Sequence, residues 1–471
     1  MMTRGIGSDE REMEAPVRRT QLALSLAAAI AVLLPAPAML AADGVLEINQ
    51  TCAVQTGCFV GDTAGFPVNI TQGGSYRLTG NLDLSALPAT HGITLNARHV
   101  TLNLAGFEIV GASSCTGSGS TLACTGGGGE GISLQAAALG ATVRNGTVRN
   151  MGGNGVGGFA EMVRIERITA MHNGADGISG QVESIIRDSR SRENQNDGFD
   201  LDAGTVVENC TAFGNGSDGI ELDGQGGVIR GSTTRGNGGR GVNAAGRAVV
   251  SNVVSRDNGA EGILLGNDSI AHGVVATGNT GVGISAGLSA VVLGSTSAGN
   301  GAEGILAGVG SAIHESTGRA NTLSGINAAR SSLVGNAASN NGGVGIQNDG
   351  VIAYNAAFDN GIDGIAAGQS AIIGNAVGSN ADDGISTNDS TIVNNVAIGN
   401  NTGGNTNNTA GIETDGGLVQ GNASTANFAD GIVCVGSGSI RENQLDSNTG
   451  TTVSGCLDLG DNACNGAASC P

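Results

Sequence analysis

A glycine followed by an apolar residue returns fifteen times between Gly131-Ile132 and Gly431-Ile432, mostly at steps of 19 to 22 residues. Gly177-Ile178, Gly198-Phe199, Gly219-Ile220, Gly283-Ile284 and Gly364-Ile365 are representative. The period matches one turn of a β-solenoid. The glycine is expected to open a short strand by supplying a positive φ, with the residue after it pointing inward. A second strand is predicted from segments such as Val351-Ile352-Ala353-Tyr354-Asn355.

Four residues before the glycine stands an asparagine in thirteen successive units: Asn173, Asn194, Asn215, Asn237, Asn258, Asn279, Asn300, Asn321, Asn341, Asn360, Asn380, Asn407 and Asn427. Coils stacked about 4.8 Å apart let each side-chain amide donate to the next, so this column predicts a ladder. Residues 66–110 alternate apolar and polar positions without the asparagine and predict the first coils and their cap. The step from Gly384 to Gly411 is 27 residues, which places a polar loop at residues 400–409. Calcium-binding β-rolls need a nine-residue unit and leucine-rich repeats a leucine pattern, and neither is present.

These residues carry a resemblance. The segments 173–178, 215–220 and 360–365, of the form Asn-Gly-x-Asp-Gly-Ile, are similar to coils of the pectate-lyase-like superfamily of right-handed β-helices, over about residues 65–450. The expected fold is therefore all-β, a right-handed parallel β-helix forming a single-stranded solenoid of about fifteen coils of roughly 21 residues. The boundaries follow as 1–42 for a signal peptide, 43–130 for an N-terminal cap and first coils, 131–450 for the repeats, and 451–471 for a cysteine-containing C-terminal cap.

Composition agrees with a narrow interior. Of 471 residues 84 are glycine, there are 8 Phe, 2 Tyr and no Trp, and no lysine occurs. The formal charge of −20 and the scattered arginines exclude nucleic acid as a partner. Residues 22–34 form an apolar run after Arg18-Arg19 and before small residues near 36–42, the layout of a secretory signal. Its length is below the roughly 20 residues that span a bilayer, so a secreted, extracellular or cell-surface chain with no membrane span after signal removal is expected. The nine cysteines fit an oxidising destination. Their spacing predicts Cys52–Cys58, Cys115–Cys124 and Cys464–Cys470 bridges bracketing the repeats, with Cys434–Cys456 as an optional fourth. Cys210 falls in a column with Val253, Val274, Ser295 or Ala337 and is expected free and buried.

Candidate chemistry centres on two adjacent coils, Asn196-Asp197-Gly198-Phe199-Asp200-Leu201-Asp202 and Ser217-Asp218-Gly219-Ile220-Glu221-Leu222-Asp223. With the apolar residues inward, Asp200, Asp202, Glu221 and Asp223 share one outward face, Asp200 beside Glu221 and Asp202 beside Asp223. Like charges this close need a proton or a cation, which makes Ca²⁺ the candidate cofactor and these four its ligands; splayed, solvated side chains are the other account. Nine coils carry Asp or Glu immediately before the glycine, Asp176, Asp197, Asp218, Asp363 and Asp383 among them, and a role in the turn explains them first.

Lysine-base pectate lyases look similar around Ala175-Asp176-Gly177-Ile178 and residues 196–201, which implies calcium-binding acids, but Gln181 stands near the position of the missing lysine. Polygalacturonases resemble residues 196–200 with their paired acids, yet Arg240-Gly241 replaces the expected His-Gly. Catalytic candidates are accordingly Asp197, Asp218 and Arg187, the last of which can also pair simply with Glu183, Asp188 or Glu193. The five histidines lack metal-ligand spacing. Two functions stand: a secreted β-helix that binds or processes an extracellular polysaccharide, a uronate polymer reached through calcium, or a non-enzymatic cell-surface or matrix protein built for structure or adhesion.

Overall fold

The computed structural model describes residues 44–125, 128–404, 409–465 and 470. From Val45 onward the chain winds into about 19 coils, each made of up to three short parallel strands. A representative coil runs Phe199–Leu201, Val206–Glu208 and Thr211–Phe213, and each strand pairs with its equivalent in the coils before and after. The count exceeds fifteen because coils precede the first Gly-Ile unit, beginning with Leu46–Ile48, and one follows the last, ending with Ala463–Cys464.

Alternation along three-residue strands determines what is inside. Phe199, Val207 and Ala212 are completely buried, as are Ile220, Ile229, Ile263 and Ala271 in later coils. The interior is one continuous column of Val, Ile, Leu and Ala, each side chain stacked on its equivalent in the next coil.

The recurrent glycine has a different cause from the one expected. Gly198, Gly219 and their equivalents do not have a positive φ. A Cβ on Gly198 would lie 2.5 Å from the Gly219 carbonyl oxygen and 2.7 Å from Asn215 Nδ2, so the position is kept free of a side chain by the approach of the next coil. Left-handed backbone occurs instead at the corners between strands, at Asn209 and Asn252 for example.

The asparagine ladder is continuous from Asn173 to Asn448. Asn173 Nδ2 donates to Asn194 Oδ1 at 2.9 Å and Asn194 Nδ2 to Asn215 Oδ1 at 3.0 Å, and the last step, Asn427 to Asn448, is 2.9 Å. Each Oδ1 also accepts the backbone N–H of the preceding rung, as Asn194 does from Asn173 at 3.1 Å. The rung assigned to Asn407 belongs to Asn400, which links Asn380 to Asn427; Asn407 itself lies outside the described residues. A second ladder, Asn336-Asn355-Asn375-Asn395-Asn422-Asn443-Asn462, fills the corner between the second and third strands. The same corner holds Ser295 and Ser316 in earlier coils, so the column containing Cys210 continues into Asn336, not Ala337.

The four expected disulfides are present, and Cys210 is free and buried. Burial pushes the Cys210 thiol up to about 12, which keeps it protonated and inert. Cys52–Cys58 lies beside a short helix, Gln50–Gln55, at the N-terminal end, and Cys434–Cys456 links adjacent coils at the other. Cys115–Cys124 is not an end closure. It ties an antiparallel hairpin, Ser114–Thr116 with Ala123–Thr125, that reaches along the flank of later coils. Gly119 donates to the Gly214 carbonyl at 2.9 Å, and Gln195 donates to the Leu122 carbonyl at 3.3 Å while accepting the Cys124 N–H.

Asn279 is 2 % exposed, and its side chain makes hydrogen bonds to Asn258, Asn300 and the Ser255 carbonyl. Asn279→Ala leaves those partners unpaired in the interior, and the expected cost is roughly 1–3 kcal/mol. Thermal and urea melts of variant and parent check this; coincident curves would show that water replaces the rung.

Candidate functional site

The acidic residues before the glycines form a column of their own, in the turn between the third strand of one coil and the first of the next. Asn154 Oδ1 accepts the Asp176 N–H at 3.0 Å, Asp176 that of Asp197 at 3.1 Å, Asp197 that of Asp218 at 2.6 Å, and Asp218 that of Arg240 at 2.6 Å. Each carboxylate thus caps the following coil. Asp197 and Asp218, the candidate catalytic acids, therefore have a structural partner already.

Beside this column run the outward residues of the first strand. Ser179 is paired with Asp200, Asp200 with Glu221, and Glu221 with Asn243. The four candidate metal ligands divide into two groups. Asp200, Asp202 and Asp223 line a shallow cleft of about 160 Å³ with Ser179, Gly180 and Gln181. Glu221 instead gathers with Asp197 and Asp218, one oxygen from each lying within 4.8 Å of the others. Asn243 Nδ2 donates to Glu221 Oε1 at 2.7 Å, and Asp202 Oδ1 accepts the Ala203 N–H at 2.7 Å.

Crowding and burial make this face a store of protons. Desolvation raises Asp176 to about 6, helped by the Asp200 and Asp197 charges. Glu221 rises to about 7 for the same first reason, with Asp197 and Asp223 adding repulsion. Asp197 and Asp200 are raised mainly by burial as well, Asp200 also by Asp223. Such groups can donate a proton near neutrality or exchange it for a cation.

Arg187 is not brought here. It lies on the second strand of its coil, with Nε 3.0 Å from Glu208 Oε2 on the next coil, and Arg230 approaches the same carboxylate at 3.0 Å. The partner is thus Glu208 and none of the three acids nearer in sequence. The cation that does border the cluster is Arg240, 3.6 Å from Asp218 Oδ2 and 3.1 Å from Glu261 Oε2. It occupies the same pre-glycine position as Asp176, Asp197 and Asp218, which was the signal for it in the sequence. His172 is engaged with Glu193 at 2.6 Å, and no histidine joins a potential metal group among the described residues.

A second acidic group was visible only in pieces. Asp363, Asp382 and Asp383 bring oxygens within 4.8 Å of one another. Asp363 caps Asp383 at 3.1 Å and Asp383 caps Ala410 at 2.6 Å. Burial raises Asp363 to about 7 and Asp383 to about 8. The arrangement repeats that of Asp197 and Asp218, with Glu413, also raised by burial and by Asp382, at the outward strand position.

Because these folded-state values lie above the ordinary 3.8 of an aspartate, the folded chain holds protons that the unfolded chain releases. Their stabilising contribution is complete below about pH 4 and is lost as pH rises through about 7 to 8. Asp363→Asn combined with Asp383→Asn keeps the two amide acceptors and removes the charges. The double variant is expected to melt higher than the parent at pH 8 and together with it at pH 4; calorimetry showing parallel pH profiles would contradict this.

A family model described as a right handed beta helix region matches residues 89–229. No curated protein matches the chain. Among solved structures, the A-module of the mannuronan C-5 epimerase AlgE4 of Azotobacter vinelandii is 19 % identical, covering 66 % of this chain and 89 % of that one at a TM-score of 0.41. The periplasmic alginate epimerase AlgG is 15 % identical, with 78 % of each chain covered and a TM-score of 0.27. The tailspike of E. coli bacteriophage HK620, in complex with a pentasaccharide, is 13 % identical, covering 84 % of this chain and 72 % of that one at a TM-score of 0.28. Likeness at this level concerns the fold alone. Together, the stacked three-strand coils, the interior ladders and the match over residues 89–229 make the chain a right-handed parallel β-helix.

Proposed function

We propose that this protein is an exported β-helix that binds or processes an extracellular polysaccharide on the face of its first strands, with Ca²⁺ bridging the acidic cleft to uronate residues of the polymer. One observation carries the reading. Asp200, Asp202 and Asp223 line a cleft open to solvent, and immediately beside it Asp176, Asp197 and Glu221 are held above their ordinary proton affinity by burial and by one another. A hard divalent ion with flexible oxygen coordination relieves that repulsion and turns an anionic surface into one that accepts an anionic sugar. Export rests on the apolar segment 22–34, which lies outside the described residues, and fits the four disulfides.

The second reading is a non-enzymatic surface or matrix protein. It is favoured by the face of the second strands, where the outward positions from Val249 and Ser251 to Thr391 and Val393 hold no Asp, Glu or Arg, a long uncharged strip suited to contact.

Ca²⁺ is expected to raise the melting temperature by mass action, stabilising the fold by about 2.7 kcal/mol at one hundred times Kd, and Asp200→Asn with Asp223→Asn to remove most of that gain. Incubating the mature chain with pectate, alginate and glycosaminoglycans, with and without Ca²⁺, and following unsaturated products and reducing ends separates lyase, hydrolase and binder. Absence of Ca²⁺ binding at millimolar concentration would leave the structural reading.

A further inference from the structure

The same face carries a second concavity, of about 310 Å³, on the coils that precede the acidic cleft. It lies along the outward column of the first strands. The outward position of the first strand is Thr94, then Ser133, then Gly157, before Ser179 and Asp200. At Gly157 the place of a side chain is taken by Asn154, whose Nδ2 would lie 2.5 Å from a Cβ there, so the Asn154 amide borders the hollow. The hollow is lined by His91, Glu130, Ser133, Gln135, Asn154 and Phe159.

Two features of this lining point to a ligand. Phe159 follows the strand Val156–Gly158 and is 71 % exposed, in a chain with only ten aromatic residues. An aromatic face left bare at the rim of a polar hollow is a platform for another flat, partly apolar surface. The polar groups that share the lining are held in place by one another. His91 Nδ1 accepts the Glu130 N–H at 3.0 Å, Asn154 Nδ2 lies 3.5 Å from Glu130 Oε1, and Gln135 Nε2 donates to Ser133 Oγ at 2.9 Å. This gives a fixed set of amide, hydroxyl, imidazole and carboxylate groups.

We infer that this hollow is a subsite for an uncharged pyranose residue, stacked by its C–H face on Phe159 and hydrogen-bonded through its hydroxyls to Gln135, Asn154, Ser133 and Glu130. The absence of charge follows from the lining: among the described residues no arginine borders it, and the His91 imidazole is engaged through Nδ1 with the Glu130 N–H, so the hollow offers amides and hydroxyls and no paired cation. Ser133 and Asp200 are three coils apart, about 14 Å along the solenoid. A single linear polymer lying along this face therefore reaches both places. The inference rests on the polysaccharide reading above and deepens it. The polymer is a heteropolysaccharide, with a neutral residue seated in the hollow and an acidic one bridged at the cleft.

The test uses the full mature chain in titration calorimetry with neutral hexasaccharides of β-linked glucose, mannose and galactose, and with hexagalacturonate, each in EDTA and in Ca²⁺. In EDTA at least one neutral hexasaccharide is expected to bind, and Phe159→Ala to weaken it about tenfold. Phe159 is exposed, so its replacement leaves the fold intact. No neutral sugar bound across the panel, or binding unmoved by both Phe159→Ala and Gln135→Ala, overturns the subsite. So does a response confined to hexagalacturonate in Ca²⁺, which would sustain the cation cleft alone. Neutral binding without any effect of Ca²⁺ would keep the subsite and remove the cleft reading.

Discussion

The register between successive coils is the constraint on which everything else depends. Parallel backbone pairing holds equivalent residues at about 4.8 Å in every column, inside and outside. In the interior this rewards residues that can stack on copies of themselves, namely β-branched aliphatics and asparagine, whose amide both donates to and accepts from its like. The buried asparagines from Asn173 to Asn448 would be costly singly and are satisfied as a series. The glycine beside them follows from the same spacing, since Gly198 faces the Gly219 carbonyl and the Asn215 amide with no room for a Cβ.

Outside, the same register places like charges together wherever the sequence repeats an acid. Asp176, Asp197 and Asp218 are tolerated in one column because each accepts a backbone N–H from the coil ahead. That hydrogen bond anchors the carboxylate but does not neutralise it, and at Asp176 and Asp197 burial then raises the proton affinity. A column made for capping thereby acquires chemistry, and Arg240 ends it by supplying charge of the opposite sign.

The faces of the solenoid differ in how they treat charge. On the second strands Arg187, Glu208 and Arg230 alternate and neutralise one another across coils. On the first strands Asp200 and Glu221 are neighbours of the same sign. The hairpin tied by Cys115–Cys124 is hydrogen-bonded to Gln195 and Gly214, in the turns that carry Asp197 and Asp218, so a covalent link far back in the sequence flanks the acidic column.

The sequence by itself determined the repeat, the inward Ile and Phe positions, the main ladder, the disulfide partners and the pairing of Asp200 with Glu221, because each is a matter of period and alternation. It led to first coils over residues 66–110 but not to their number, nor to the strand Leu46–Ile48 before them, which pairs without the signature glycine. Insertions also defeated it. Asn400 and Asn407 are both asparagines in one polar loop, and only the tertiary structure decides that Asn400 reaches Asn427. Arg187 lies close in sequence to the acids, but the chain turns a corner between Arg187 and Asp197 and sends them to different faces. The separation of Glu221 from Asp200, Asp202 and Asp223 was likewise beyond reach, because pairing sets which backbone positions are adjacent and side-chain rotamers decide which oxygens meet.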